Sequence, residues 1–342
     1  MRVAIQPDDY GGRNTPERLD SSSPRWAARL EEAGVEVRFV DVARSDILSQ
    51  VAGCHGFMWR HGHLPRMRQI ARRLLPVLER ELGLVMYPDQ ATCWHYDDKV
   101  TQKFLFEAAG IPTPRSWVLW KGGTALDECL AEAGLPVVLK LWGGAASSNV
   151  RLLRSRADVD AWVARLFGDG VFSLDHASAS RPDETFWDLH REYALVQEFL
   201  PGNAFDTRIT VIGHRAFGYR RFNRPNDFRA SGSGLVDYDP HALDPRAVRL
   251  AFHAARLLGG QSLAFDILKK GDELVIGEVS YTYVSWMVKD CPGHWELTDA
   301  ADAHPDEGEL AWVDGHMWPE DAQVQDYLVR LRASGQRPAP DV

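Results

Sequence analysis

Two short apolar runs, Leu263-Ala264-Phe265-Asp266-Ile267-Leu268 and Leu274-Val275-Ile276-Gly277-Glu278-Val279, each hold one carboxylate among apolar neighbours, with Lys270-Gly271-Asp272 between them. Such runs around a turn tripeptide predict two strands. A hairpin centred on Asp272 puts Asp266 opposite Glu278, with both side chains on one face. Two carboxylates that close repel each other and raise one pKa unless a cation lies between them. A buried acid must be paired or bind metal. Two arrangements satisfy the pair: Mg²⁺ shared with substrate phosphates, or hydrogen bonds from nearby arginines.

The rest of the chain alternates in type. Val3-Ala4-Ile5, a helical pattern from Trp26 stopped by Gly34, residues 35–40, Gly56-Phe57-Met58-Trp59 and a helical pattern over 64–82 read as a β-α-β-α-β unit. Gly11, Gly12 and Asn14 do not form G-x-G-x-x-G and no acid follows at the required position, so a dinucleotide site is not supported. Asp97 or Asp98 caps a helix with Val100, Phe104, Leu105 and Ala108 on its apolar stripe, closed by Gly110 and Pro112. A strand over 135–141, the small-residue loop Gly143-Gly144-Ala145-Ala146-Ser147-Ser148-Asn149 and a strand over 150–153 make a flexible hairpin. Residues 168–184 are polar and aperiodic and read as a long loop. Further on come a strand over 194–199, a hairpin of 207–212 with 216–221 across Gly213-His214, and a helix from Asp244-Pro245 to Gly259.

Composition narrows the function classes. The 342 residues, 45% hydrophobic and 25% charged, suit two or three packed units and exclude disorder and coiled coil. No stretch reaches the roughly 20 apolar residues of a membrane span, and the start lacks the apolar core of a signal peptide, so a cytoplasmic protein is expected. A net charge of -9 argues against an open nucleic-acid surface. Cys54, Cys93, Cys129 and Cys291 form no C-x-x-C pair and suit free thiols.

Within this acidic chain, cations gather. Lys140 lies inside an apolar strand, where an ammonium needs a partner; phosphate oxygens fit, as does an ion-paired or snorkelling edge position. Lys99 starts a helix. Arg208 precedes a run of Arg215, Arg220, Arg221, Arg224 and Arg229. Strand alternation turns Arg220 and Arg221 to opposite faces, so one of the two is structural. Guanidinium groups match the charge of a transferring phosphoryl group. His61-Gly62-His63 lacks the further ligands of a zinc site.

Taken in order, these residues resemble the ATP-grasp superfamily, most of all its RimK-like branch of carboxylate-amine ligases. The resemblance covers roughly residues 87–280. It rests on Asp98-Lys99 before Ala109-Gly110-Ile111-Pro112-Thr113-Pro114, on Pro136-Val137-Val138-Leu139-Lys140 with its loop, on Val196-Gln197-Glu198-Phe199-Leu200, and on Asp206-Thr207-Arg208. Arg220-Arg221, Asp227-Phe228-Arg229, Phe265-Asp266-Ile267 and Glu278-Val279 complete it. It implies an α/β (α+β) ATP-grasp fold with a Rossmann-like α/β pre-ATP-grasp domain over residues 1–95. A small lid subdomain would follow over 96–200, then a C-terminal catalytic subdomain over 201–333 and a flexible tail over 334–342.

The same resemblance implies that Lys99, Lys140 and Arg208 contact ATP, with Gly143, Gly144 and Ser147 closing over its phosphates. The backbone of Gln197, Glu198, Phe199 and Leu200 would read adenine, and Asp206 the ribose. Arg221, Arg229 and Lys140 would serve the transferred phosphate, and Asp266, Glu278 and Ser280 would bind Mg²⁺. Ser280 stands where the family usually has asparagine, which puts the second Mg²⁺ in doubt, and Ser231-Gly232-Ser233-Gly234 departs from the usual asparagine after Phe-Arg-Ser. A less specific likeness to ATP-grasp proteins of surface-polysaccharide gene sets covers the aromatic stretch with Trp286, Trp295, Trp312 and Trp318. There, sugar stacking and plain packing are both open.

The implied reaction joins a small-molecule or glycan carboxylate to an amine through an acyl phosphate, releasing ADP and phosphate. His61, His63 and Asp227 are candidate bases by chemical type. A non-catalytic ATP-binding module and an ATP-grasp kinase are the alternatives. The implied partners are these substrates, without nucleic acid or membrane span, and a homodimer is the assembly to test.

Overall fold

The computed structural model describes residues 1–8, 21–123, 125–144, 147, 149–172, 188–298, 309–335 and 338–340. Ala145, Ala146, Ser148, Gly11, Gly12, Asn14 and most of the expected 168–184 loop lie outside the described residues. The first 90 residues build a parallel sheet of β1 (Arg2–Ile5), β2 (Glu36–Phe39), β3 (Gly56–Met58) and β4 (Val85–Tyr87), in the order β2-β1-β3-β4. This matches the expected β-α-β-α-β unit and extends it by β4.

A four-stranded antiparallel sheet follows. It is formed by β5 (Ser116–Trp120), β6 (Val137–Lys140), β7 (Val150–Leu153) and β8 (Tyr193–Glu198), ordered β5-β8-β6-β7. Its alternation is decisive for the site. Val137, Leu139, Ala194 and Val196 point into a core with Val159, Trp162 and Leu166 of the helix Arg156–Phe167. Val138, Lys140 and Gln197 therefore face the other way, into a cavity.

The central sheet contains β9 (Phe205–Ile212), β10 (Arg215–Phe222), β11 (Val236–Asp237), β12 (Ser262–Lys270), β13 (Glu273–Ser280), β14 (Gly293–Thr298) and β15 (Glu309–Asp314). Its order is β13-β12-β9-β10-β14-β15, with β11 on β10. Ile209, Val211, Phe265, Ile267 and Ile276 pack on Ala247, Val248, Ala251 and Ala255 of the helix Pro245–Leu258. The opposite face carries Asp206, Arg208, Arg221 and Asp266. Asp98 caps the helix Lys99–Ala109 by accepting from the Thr101 amide at 3.0 Å, and Gly110 closes it at φ 67°.

The last helix, Pro319–Ala333, returns to the start of the chain. Its Val324, Tyr327, Leu328 and Leu331 pack with Val3, Ile5, Trp26, Leu30 and Met58. The tail expected to fray is tied down at Ala339, whose amide donates to the Cys54 carbonyl at 2.7 Å and whose carbonyl accepts from the Gly53 amide at 2.9 Å. Leu331→Ala should destabilise the protein by about 2–5 kcal/mol, the usual range for a buried leucine. Urea denaturation followed by tryptophan fluorescence checks this; an unchanged midpoint would detach this helix from the N-terminal core.

Candidate functional site

Two adjoining cavities open where the three sheets meet. The larger, of about 780 Å³, is lined by Lys99, Arg208, Arg221 and Ser280 together with Arg60 and His63 from the N-terminal region. The smaller, of about 150 Å³, lies between β6 and β8 on one side and β12 on the other, with Val138, Phe199, Leu200, Phe228 and Leu268 as apolar walls. Ser147, Val150, Ser231, Asp266 and Glu278 line both.

A ladder of charges crosses the floor. Arg208 donates to both oxygens of Asp266, at 2.7 and 2.8 Å. Arg221 donates to both oxygens of Asp206, at 2.8 and 2.7 Å, and its Nη2 also reaches Asp266 Oδ2 at 2.7 Å. Burial alone would raise Asp266, but Arg208 and Arg221 hold its carboxyl well below the usual carboxylate range. Asp206 is pushed up by burial and by the Asp266 charge, against Arg221. Arginine pairing, one of the two arrangements open from sequence, thus holds Asp266 in the free protein.

Asp266 does lie opposite Glu278. The hairpin closes with Lys270 opposite Glu273, a register that would set Asp266 against Gly277; a bulge between Asp266 and Ile267 shifts the pairing by one residue. The bulge re-aims Glu278 into the cleft. There Glu278 Oε1 lies 3.1 Å from Lys99 Nζ. Burial works against the charge on Lys99, yet Glu278 and Asp97 raise its pKa above the ordinary lysine value. Lys140 differs: its Nζ makes one long contact, 3.5 Å to the Gly277 carbonyl, and burial with Lys99 nearby lowers its pKa to about 8. The cluster is therefore not the net-positive pocket that counting cations in the sequence suggests. Among the described residues, Lys99, Arg208, Arg221 and Arg229 each form an ion pair with a carboxylate, whereas Lys140 has none within 4 Å and feels Glu278 and Asp266 only at longer range.

Asp97 is a site residue that sequence reasoning treated only as a possible cap. The cap is Asp98, which frees Asp97, at φ 53°, to turn inward. Its Oδ1 accepts from the Gly144 amide at 2.8 Å; its Oδ2 lies 3.4 Å from His63 Nδ1 and 3.6 Å from Arg68 Nη1. Gly144 itself adopts φ 124°, a conformation that L side chains rarely take. Arg229 binds Asp227 through both oxygens and donates to the carbonyls of Ser147 and Val150, at 3.2 and 3.3 Å. It ties Ser147 and Val150 to the segment between β10 and β11.

Gln197, Glu198, Phe199 and Leu200 line the smaller cavity, but the Glu198 carboxylate is engaged by the Arg115 amide at 2.7 Å and by Lys270 at 2.5 Å. Ser280 Oγ donates to the Thr282 carbonyl at 2.7 Å. Among the described residues, no group of three or more His, Cys, Asp or Glu is arranged to hold a metal. A carboxylate offers about four lone-pair positions. Asp266 uses three of them, which leaves one on Oδ1, and with Glu278 lining the same cavities the pair fits one divalent cation completed by phosphate and water. The Ser280 hydroxyl, which lines the larger cavity, also accepts from the Thr282 amide at 3.2 Å. Of the four tryptophans, only Trp286 lines the cleft. Trp295 and Trp312 pack edge to face at 4.7 Å, and Trp318 lies under Arg25 and Lys289, so these three are engaged outside the cleft lining.

No protein-family model matches the chain. Formate-dependent phosphoribosylglycinamide formyltransferase of Xanthomonas oryzae pv. oryzae is 28% identical over 231 residues, covering 64% of this chain and 52% of the relative. The chain thus spans about half the length of the curated relative it matches. D-alanine--D-alanine ligase from Bacillus anthracis superposes with a TM-score of 0.61 at 14% identity over 98% of this chain and 99% of that one, and has also been solved with ATP. A RimK domain ATP-grasp protein from Sphaerobacter thermophilus superposes with a TM-score of 0.50 at 19% identity, over 83% and 92% of the two chains.

Asp266→Asn should destabilise the protein by about 3–5 kcal/mol, because it leaves the buried Arg208 guanidinium without its carboxylate and removes the second of Arg221's two. Chemical denaturation at neutral pH measures this, and a variant as stable as wild type would remove the ladder as a structural element. Lys140 has the opposite sign. Its lowered pKa means that the unfolded state holds the proton longer, so its contribution makes stability rise with pH from about 8 to the ordinary lysine value of about 10.4. Comparing denaturation midpoints of wild type and Lys140→Met across that window isolates this slope.

Proposed function

Because the chain has the ATP-grasp fold, we propose that it is an ATP-dependent carboxylate-amine ligase. One observation carries this reading: a small apolar cavity and a large polar one share a wall at Asp266, Glu278 and Ser147. Such a wall is where a nucleotide's phosphates would meet an acid. Adenine fits between Val138, Phe199, Leu200 and Leu268, with backbone from Gln197 to Leu200 along its edge and Asp206 toward the ribose. The phosphates then run toward Lys140, which has no carboxylate within 4 Å among the described residues, and toward Lys99, Gly144 and Ser147. Asp266 and Glu278 would hold Mg²⁺, whose charge would offset that of the phosphates. A cleft whose own charges nearly cancel favours a nucleotide arriving with its cation over a bare polyanion.

In this reading the substrate carboxylate attacks the γ-phosphate, giving an acyl phosphate and ADP. Positioning and charge supply most of the rate for such a transfer. Lys140 and Lys99 hold the phosphate oxygens, Arg221 and Arg208 hold Asp266 in place, and Arg229 keeps the Ser147 turn over the site. An amine then displaces phosphate. A nucleotide-binding module without turnover is the second reading, favoured by the arginine hold on Asp266 and by the Ser280 hydroxyl turned onto Thr282. Nothing in the cleft favours a glycan over another small acid.

ADP release should require an acid. The first probes are formate and D-alanine, from the names of the similar proteins, with L-glutamate added and hydroxylamine as acceptor; hydroxamate formation reports the acyl phosphate. MgATP binding without acid-dependent ADP release would select the non-catalytic reading. MgATP binding at pH 8–9 should also take up protons, because phosphate raises the pKa of Lys140 from about 8. Lys140→Met should abolish that uptake and weaken binding at least about tenfold, or 1.4 kcal/mol. Calorimetry in buffers of different ionisation enthalpy measures both.

A further inference from the structure

The geometry points to His63 as the group that takes the proton from the attacking amine, an inference that rests on the ligase reading above. Three candidate bases are distinguished by their surroundings. His61 is buried, with no hydrogen-bond partner for either ring nitrogen among the described residues, and burial beside Arg68 and Arg72 lowers its pKa to about 3. Asp227 gives both oxygens to Arg229. His63 lines the large cavity with its side chain 47% exposed, in the same cleft as Lys99, Asp266 and Glu278.

Its ring is also oriented. Nδ1 faces Asp97 Oδ2 at 3.4 Å, which favours the tautomer with the proton on Nδ1 and the lone pair on Nε2. Tyr96 Oη lies 3.0 Å from Nδ1 and 3.2 Å from Nε2. With Nδ1 facing Asp97, the amine would take the place of the Tyr96 hydroxyl at Nε2. Tyr96 is itself held, accepting from Thr282 Oγ1 at 2.8 Å, two residues beyond Ser280. Arg68 Nε donates to the His63 carbonyl at 3.1 Å and fixes the backbone. Because Asp97 also accepts from the Gly144 amide, one carboxylate ties the base to the turn that would cover the phosphates.

The step balances. The amine lone pair forms the C–N bond at the acyl-phosphate carbonyl carbon, and the nitrogen loses one proton to His63 Nε2. The C–O bond to phosphate breaks, with its electron pair leaving on the phosphate. His63 is then the catalytic base and Asp97 a positioning residue.

The test uses the full chain with MgATP, hydroxylamine, and whichever of formate, D-alanine or L-glutamate drives wild-type ADP release. His63→Gln should keep single-turnover ADP formation within about twofold while slowing hydroxamate formation about 10²–10⁴-fold, the usual range for a lost general base. His63→Ala should regain part of the second rate with added imidazole, since removing a half-exposed ring leaves a hole open to solvent. Asp97→Asn should slow the same step and Asp97→Glu restore part of it. Hydroxamate formation unchanged in His63→Gln, an equal loss of both steps, or no imidazole rescue would each overturn the assignment while leaving the ligase reading intact. Wild type without acid-dependent ADP release would overturn both.

Discussion

The structure depends on Arg221 reaching two carboxylates at once, Asp206 beside it and Asp266 across β9. With Arg208 on Asp266, this makes a lattice over β12, β9 and β10, next to Glu278 on β13. A one-residue slip of any of these strands would turn its charges toward Ala247, Val248 and Ala251 of the covering helix, where no partner waits. Apolar packing below and ion pairing above therefore specify the same register. Such a lattice adds little net stability over well-packed apolar residues, because desolvation offsets the attraction. What it fixes is the position of Asp266 on the cleft floor.

Asp97 does for the cleft walls what Arg221 does for the floor. One carboxylate meets Gly144 of the β6–β7 turn, His63 and Arg68 of the N-terminal region, and the Lys99 charge at the helix start. Burial would favour its protonated form, and His63 first, then Lys99 and Arg68, hold its pKa below the ordinary value. Here the β6–β7 sheet meets the N-terminal region through polar contacts, whereas the N-terminal region and the central sheet also share an apolar core. Polar contacts of this kind exchange with water at small net cost, so they suit walls that must admit a ligand.

Much of this was legible where the signal was local. The Gly213-His214 turn gave the β9–β10 register, and the alternation around Lys140 put it on the face opposite its core neighbours. The opposition of Asp266 and Glu278 was reached from a hairpin centred on Asp272, yet it holds because a bulge moves a register that the turn alone would set one residue away. Partner choice was not legible. Arg208 and Asp266 are 58 residues apart, and alternation says which face each occupies but not which acid an arginine meets. Counting cations thus suggested a positive pocket where pairing makes a nearly neutral one. Asp97 went unread because its role requires φ 53° and a turn 47 residues away. The C-terminal aromatic stretch was open between stacking and packing because composition is the same for both; strand pairing of β14 with β15 decides it for Trp295 and Trp312.

Neutral balance changes how the cleft would act on a phosphate. A pocket of unpaired cations would bind any polyanion and would pay for their mutual repulsion while empty. Here that repulsion is least offset at Lys140, whose proton is loosened by burial and by Lys99, with the Gly277 carbonyl at 3.5 Å and the more distant charges of Glu278 and Asp266 as partial relief. A ligand that supplies negative charge at that point relieves an existing cost instead of competing for a satisfied group. Elsewhere it must share lone pairs with guanidinium groups already in place, which requires a cation with free coordination sites and a fixed geometry. Selectivity would then come from where a single charge is missing, and the ladder that leaves Asp266 one lone pair also limits how many cations can enter.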